Sequence, residues 1–183
     1  LLLSCFALSG QEIAWRSAGQ VGAGYICSLP AVGDVLSFNP AVHAKESGLS
    51  GGVHYTLPFQ MDAFSQQFGS FVYGSALGAF GLGLGSSGDN NSAYRRLGLQ
   101  YARSFGQNVR AGLGYCYLSH HFSTQQNFNG SFSVAGIAYY ASAGHWVVSV
   151  TVQNMEQQTI SYPDHVFDIP SVVVTGVQWQ ASQ

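Results

Sequence analysis

From residue 48 onward, apolar side chains recur at every second position. In GLSGGVHYTLPF (48–59), Leu49, Val53, Tyr55, Leu57 and Phe59 share one parity, and Ser50, Gly52, His54 and Thr56 share the other. Side chains of a strand alternate between faces, so this stretch carries one apolar face and one small or polar face. The same alternation predicts strands over 48–59, 64–75, 77–86, 93–105, 108–121, 130–140, 145–154 and 170–180. In the fourth, Leu97, Leu99, Tyr101 and Phe105 oppose Arg96, Gly98, Gln100 and Ser104. In the fifth, Val109, Ala111, Leu113, Tyr115 and Tyr117 oppose Arg110, Gly112, Gly114, Cys116 and His120. In the seventh, Trp146, Val148, Val150 and Val152 oppose Val147, Ser149, Thr151 and Gln153. The eighth is mixed.

Several of these segments outrun the usual strand of about five or six residues and approach the roughly 9–11 that a tilted strand needs to cross a bilayer. Their connections differ in kind. FGQN (105–108) and ASAG (141–144) read as tight turns, whereas SSGDNNS (86–92), STQQNFNG (123–130) and the stretch 153–170 read as polar loops. Short turns at one end and long loops at the other are the layout of an outer-membrane barrel. Aromatic residues near segment ends (Tyr55, Phe59, Tyr101, Phe105, Tyr115, Tyr117, Tyr139, Tyr140, Trp146) fit girdles at the two water–lipid boundaries. Upstream, residues 11–47 are irregular, with a short helix predicted over AVGDVLSF (31–38) and stopped at Asn39-Pro40.

Composition decides which neighbour suits the apolar face. Charged residues make up 8% of the chain and Lys45 is the single lysine. A soluble domain carries about 25% charged residues. The faces opposite the apolar ones hold Gly, Ser, Thr, Gln and isolated Arg or His, which suit an enclosed lumen better than open water. The expected fold is therefore all-β: an antiparallel transmembrane β-barrel with about eight strands present, and residues 11–47 as a plug or hatch. The inner-parity glycines (Gly78, Gly81, Gly83, Gly85, Gly112, Gly114) fit close approach of such an interior segment, or strain relief at barrel corners. The competing reading is a secreted all-β interaction module whose apolar face is buried by a second sheet or a partner. A net charge of −2 supplies no basic field for nucleic acid.

LLLSCFALSG (1–10) resembles the end of a secretory signal, with Ala7-Leu8-Ser9 as a cleavage site; a lipoprotein box at Cys5 ranks lower. Cys27 and Cys116 then remain, read as two unpaired, partly buried thiols rather than a disulfide framework. No run reaches the roughly 18 apolar residues of a spanning helix.

Candidate chemistry is sparse. His121 and Ser123 in SHHFS share a strand face, and an imidazole beside a hydroxyl can activate it as a nucleophile. That spacing is close to the His-x-Ser of PagL-type lipid A deacylases, although Thr124 stands where those enzymes have Asn. Polar residues at a strand–loop boundary are the plainer account. His54, His120, His121 and His145 give no metal-ligand spacing, and no cofactor is expected. Arg96 and Arg110, on adjacent strands, point inward with His54, Gln100, His120 and Gln153, and an acid such as Asp34 is the expected partner for the arginines. GLGLGSSG lacks the Lys-Ser/Thr of a phosphate loop.

Asn39-Pro40-Ala41, preceded by VGAGYICSLPAVGDVLSF, resembles the element that leads into the first strand of FadL/PorV-like outer-membrane barrels, including Bacteroidetes members. GAFGLGLGSSG (78–88), YARSFGQNVRAGLGY (101–115), VSVTVQN (148–154) and IPSVVVTGVQW (169–179) follow in the matching order. The similarity runs from about residue 17 to the end. Val42 departs from the glycine usual there, and QWQASQ departs from the aromatic terminus, so a C-terminal part of the barrel is expected to be missing. The resemblance implies a non-enzymatic protein of a Gram-negative outer membrane, in contact with its lipid. It implies one of two roles: passing hydrophobic small molecules through a hatch-gated lumen, or holding secreted proteins in type IX secretion. It also marks Asn39, Pro40 and Ala41 as plug-related.

Overall fold

The structure, a computed structural model, describes residues 35, 39–57, 60–61, 65–123, 127–141, 146–161 and 166–179. The signal-like segment 1–10, the predicted helix 31–38 apart from Val35, Asp34, Cys27, Phe59, Thr124 and His145 lie outside the described residues.

The chain is all-β. Eight antiparallel strands form one sheet in the order β1-β2-β3-β4-β5-β6-β7-β10. They are β1 (Gly48–Thr56), β2 (Gln66–Ser75), β3 (Gly78–Gly88), β4 (Ser92–Phe105), β5 (Val109–Phe122), β6 (Phe128–Tyr140), β7 (Trp146–Gln153) and β10 (Val172–Trp179). Between β7 and β10 a small hairpin, β8 (Thr159–Ser161) with β9 (Val166–Asp168), stands apart from the main sheet. Among the described residues no ladder joins β1 to β10.

Alternation sets the strands, and local chemistry ends them. Between β2 and β3, Ser75 Oγ bonds to Gly78 O at 3.0 Å, and Gly78 takes φ +133°. Between β4 and β5, Gly106 turns at φ +68°. Between β3 and β4 only three residues intervene, because Asp89 Oδ1 accepts the backbone N–H groups of Asn91 (2.9 Å) and Ser92 (3.0 Å). Those bonds hold the Asp89 carboxyl below the usual carboxylate range. The polar stretch 86–92 is thus mostly strand, and the expected long loop is a tight turn.

A 3-10 helix covers Pro40–Lys45, downstream of the segment predicted to be helical. Asn39-Pro40 opens this helix: Asn39 Oδ1 caps it by accepting from Ala41 N at 3.0 Å, and Pro40 sits in the first turn, where its missing N–H costs nothing.

The apolar parity faces outward. Leu49 is 73% exposed, Val53 86% and Leu113 64%, and Phe71, Tyr73, Phe80, Leu84, Leu99, Ile137, Val148, Val173 and Trp179 are exposed with them. The small and polar parity forms the concave face, where Val72, Ala79, Ala102, Phe132, Ala138, Ser149 and Thr151 are almost fully buried. One inner cluster joins Cys116, Leu118 and Phe132 to Ile169 of the β7–β10 connection, with Tyr94 and Val134 packed against it. Cys116 is buried.

Candidate functional site: a small-residue trench on the concave face

Register brings together residues that are far apart in sequence. Reading straight across the strands, Gly48 pairs with Gly74, Gly74 with Ala79, Ala79 with Ala102, Ala102 with Gly112, and Gly112 with Gly136. The row continues to Thr151 and Val174. It is a trench of near-bare backbone running at right angles to the strands.

The segment Asn39–Glu46 lies along that trench. A Cβ on Gly136 would strike Asn39 Oδ1, and one on Gly74 would strike the Glu46 carbonyl. A Cβ on Gly112 would stand 2.7 Å from both Ala41 N and the Pro40 carbonyl carbon. Four strand spacings separate β6 from β2, about 19 Å. The five 3-10 steps of Pro40–Lys45 cover about 10 Å and the extended flanks at Asn39 and Glu46 add about 3 Å each, so the helix, its flanks and the Asn39 side chain together reach from Gly136 of β6 to Gly74 of β2. Asn39, Pro40, Ala41, Val42 and His43 are buried by the contact.

Polar ties hold the segment at both ends. Asn39 Nδ2 reaches Ile137 O on β6 at 3.5 Å, Ser104 Oγ on β4 donates to Ala44 O at 3.3 Å, and Lys45 Nζ donates to Gln107 O at 3.4 Å. Glu46 closes the far end: its Oε1 lies 3.2 Å from His43 Nδ1, and its Oε2 accepts from Ser50 Oγ of β1 at 2.6 Å. The His43 hydrogen bond, helped by Ser50 and opposed by burial, holds the Glu46 carboxyl below its ordinary value.

The sequence-predicted inward residues all lie on the concave parity, but not at one point. Arg96 is buried, donates from Nε to Cys116 Sγ at 2.7 Å, and lies 5.4 Å from the centre of the Phe132 ring. Arg110 stacks 3.4 Å over the Tyr140 ring at the tight-turn end. Each guanidinium thus has an aromatic face as a described neighbour. The two are also far apart: Arg96 pairs with Leu118 and Arg110 with Ser104, near opposite ends of the β4–β5 ladder. Gln100 and Gln153 line, with Arg96, Cys116, Val134 and Pro40, a gap of about 20 Å³ beside the trench, room for roughly one water. His54 stacks on Phe68 at 5.9 Å. His120 bonds to Ser92 Oγ at 2.9 Å and packs on Phe122 at 3.9 Å.

The described contacts of His121 and Ser123 are with other residues. His121 Nδ1 contacts Asn127 Oδ1 at 2.6 Å, and Ser123 lies beyond the end of β5, its N–H bonded to Asn91 O at 2.9 Å. Among the described residues no group of three or more His, Cys, Asp or Glu could hold a metal.

The outward face has a feature that sequence reasoning passed over. Among its described positions on the eight-stranded sheet the charged residues are Arg95 and Arg103, both on β4 and eight residues apart. That spacing is roughly 26 Å along a strand, or roughly 20 Å along the axis of a barrel at the usual tilt. Arg95 belongs to a polar row, Tyr55–Gln67–Ser86–Arg95–Ser119–Asn129, that crosses six strands. At the tight-turn end the outward residues are aromatic: Tyr73, Phe80, Tyr101, Phe105, Tyr139, Trp146 and Trp179. Trp146 and Trp179 pack at 6.2 Å, and Tyr101 Oη donates to Leu77 O of the turn at 2.6 Å. Tyr115 and Tyr117, expected near a strand end, sit in the middle of β5. Alternating Arg95 and Arg96 in the sequence already placed one of the pair outward.

Compared with family models, curated proteins and solved structures, the chain matches none.

Proposed function

We propose that this sheet is the wall of an outer-membrane β-barrel of a Gram-negative bacterium, with acyl chains against its apolar face and the Asn39–Glu46 segment lodged inside. The observation that carries this reading is the outward face itself. Away from the polar row at its loop end it is mainly apolar; among its described strand positions the charged residues are Arg95 and Arg103, and the Glu156 carboxylate reaches it from the β7–β8 connection at Ser133. A soluble monomer rarely exposes an apolar patch above a few hundred Å², and the hairpin β8–β9, with three residues in each strand, is far too small to cover this one. In lipid every backbone group must be paired, so the outer edges of β1 and β10 meet each other or other segments of the protein. The two run antiparallel, as an even up-and-down meander requires.

The role that fits is a scaffold without bond-making chemistry, FadL/PorV-like, serving either passage of hydrophobic compounds or retention of exported proteins. Its two inward arginines pack against neighbours: Arg96 on Cys116 and Phe132, Arg110 on Tyr140. The test is biochemical. The full chain is expected to require detergent, to fractionate with outer membranes, and to migrate differently in gels before and after boiling. Recovery as a soluble monomer without detergent contradicts the proposal.

A further inference from the structure

Both cations of the outward face rim grooves. Arg95 borders one of about 620 Å³ near the loop end, floored by Gly69 and Gly85. Arg103 borders a second, of about 550 Å³, near the tight-turn end. The second groove has the more apolar lining. Its floor is Ala111 and Ala135 with the backbone of Gly112 and Gly136, and Leu113 and Ile137 stand beside it as walls. The short side chains of outward Ala111 and Ala135 are what lower this face. Arg103 is exposed at the rim, among the aromatic belt of Tyr101 and Phe105. None of the described strand positions of this face is acidic, and Glu156, which reaches the face from the β7–β8 connection, is bound to Ser133, four residues along β6 from Ile137.

We propose that this groove binds one glycerophospholipid, with an acyl chain along Ala111, Ala135 and Ile137 and the phosphodiester at Arg103. The proposal rests on the membrane reading above and deepens it by naming a ligand. The chemistry is specific to that end of the sheet. A guanidinium offers a planar fork of donors that matches phosphate oxygens, and in a barrel the short turns face the periplasm. A flat greasy wall would hold lipid anywhere. A groove with a cation of the same face at its rim fixes where the headgroup sits.

The test uses the full chain in detergent micelles, titrated with phosphatidylglycerol or with diacylglycerol of the same acyl chains, with bound lipid counted by native mass spectrometry. The wild-type protein is expected to retain one phosphatidylglycerol in preference to diacylglycerol. Replacing Arg103→Gln is expected to lower that retention about fivefold, the scale of one cation at a lipid surface. Arg95→Gln, at the other end of β4, is expected to leave it unchanged. Should R103Q fail to assemble, Ala135→Phe fills the groove while keeping the charge, and it too is expected to abolish selective retention. Equal retention of both lipids by the wild-type protein, or undiminished phosphatidylglycerol on an assembled R103Q or A135F, overturns the site and leaves the barrel reading standing. Failure of the wild-type protein to enter bilayers in a parallel reconstitution overturns both.

Discussion

Gly112 and Gly114 are two residues apart on one strand and one face, yet their surroundings differ. A Cβ added at Gly112 comes to 2.7 Å from Ala41 N and the Pro40 carbonyl carbon and 2.8 Å from Pro40 Cβ, so backbone must yield. At Gly114 the nearest atoms would be Leu99 O at 3.3 Å and the Gln100 and Val134 β-carbons at 3.7 Å, close to ordinary contact. Carbon atoms pack best at about 3.5–4.0 Å, so Gly112→Ala pushes the seated segment outward by nearly 1 Å. Overpacking of that kind costs about 1–3 kcal/mol. At Gly114 the loss of glycine from a strand offsets the mild crowding, for a net change within about 0.5 kcal/mol. Guanidinium unfolding in detergent, followed by tryptophan emission, measures both. The expected result is a lower midpoint for G112A at unchanged slope, with G114A near the parent. Equal midpoints for the two would refute the seating of Asn39–Glu46 in the trench.

Three further outcomes follow from the same contacts. Asn39→Ala removes the cap on Ala41 N–H and the contact to Ile137 O, and is expected to cost about 1 kcal/mol in the same unfolding assay, whereas Asn39→Asp retains the cap and most of the stability. Because the folded-state pKa of Glu46 is depressed by His43, its carboxylate contributes stability above the unfolded value of about 4.3, and that contribution is lost as pH falls through the folded value. Glu46→Gln should therefore flatten the acid limb of a stability–pH profile and leave the neutral region lower. Ser123→Ala and His121→Ala are expected to leave lipid A acylation unchanged in a producing cell; loss of a deacylated species on either change would revive the hydrolase reading.

Much of the wall was legible because period-2 alternation is a local signal. The observed ends of β4 and β5 fall within a residue of those expected from sequence, and the outward parity was assigned from the absence of charge opposite it. What was not legible depends on register or on competing turn chemistry. Asn39-Pro40 reads as a helix stop when the preceding AVGDVLSF is taken as helix. It reads equally as cap and first turn, and only the trench decides between them. Gly74, Gly112 and Gly136 look like unrelated strand glycines until pairing aligns them in one row. The hairpin β8–β9 was hidden because strands of three residues are too short to show a period. Asp34, the expected partner of the inward arginines, lies outside the described residues; Phe132 and Tyr140 are aromatic neighbours of those arginines that the sequence did not show.

The account turns on what surrounds the outward side chains, and a nitroxide scan of residues 113–117 on β5 in reconstituted vesicles tests that directly. Collisions with oxygen, which concentrates in acyl chains, are predicted to dominate at 113, 115 and 117. Labels at 114 and 116 should be shielded from oxygen by the concave-face packing. Uniform exposure to a water-soluble relaxant, or shielding of 113, 115 and 117 from both reagents, would mean that water or another protein surface covers this face, and the membrane account would be wrong.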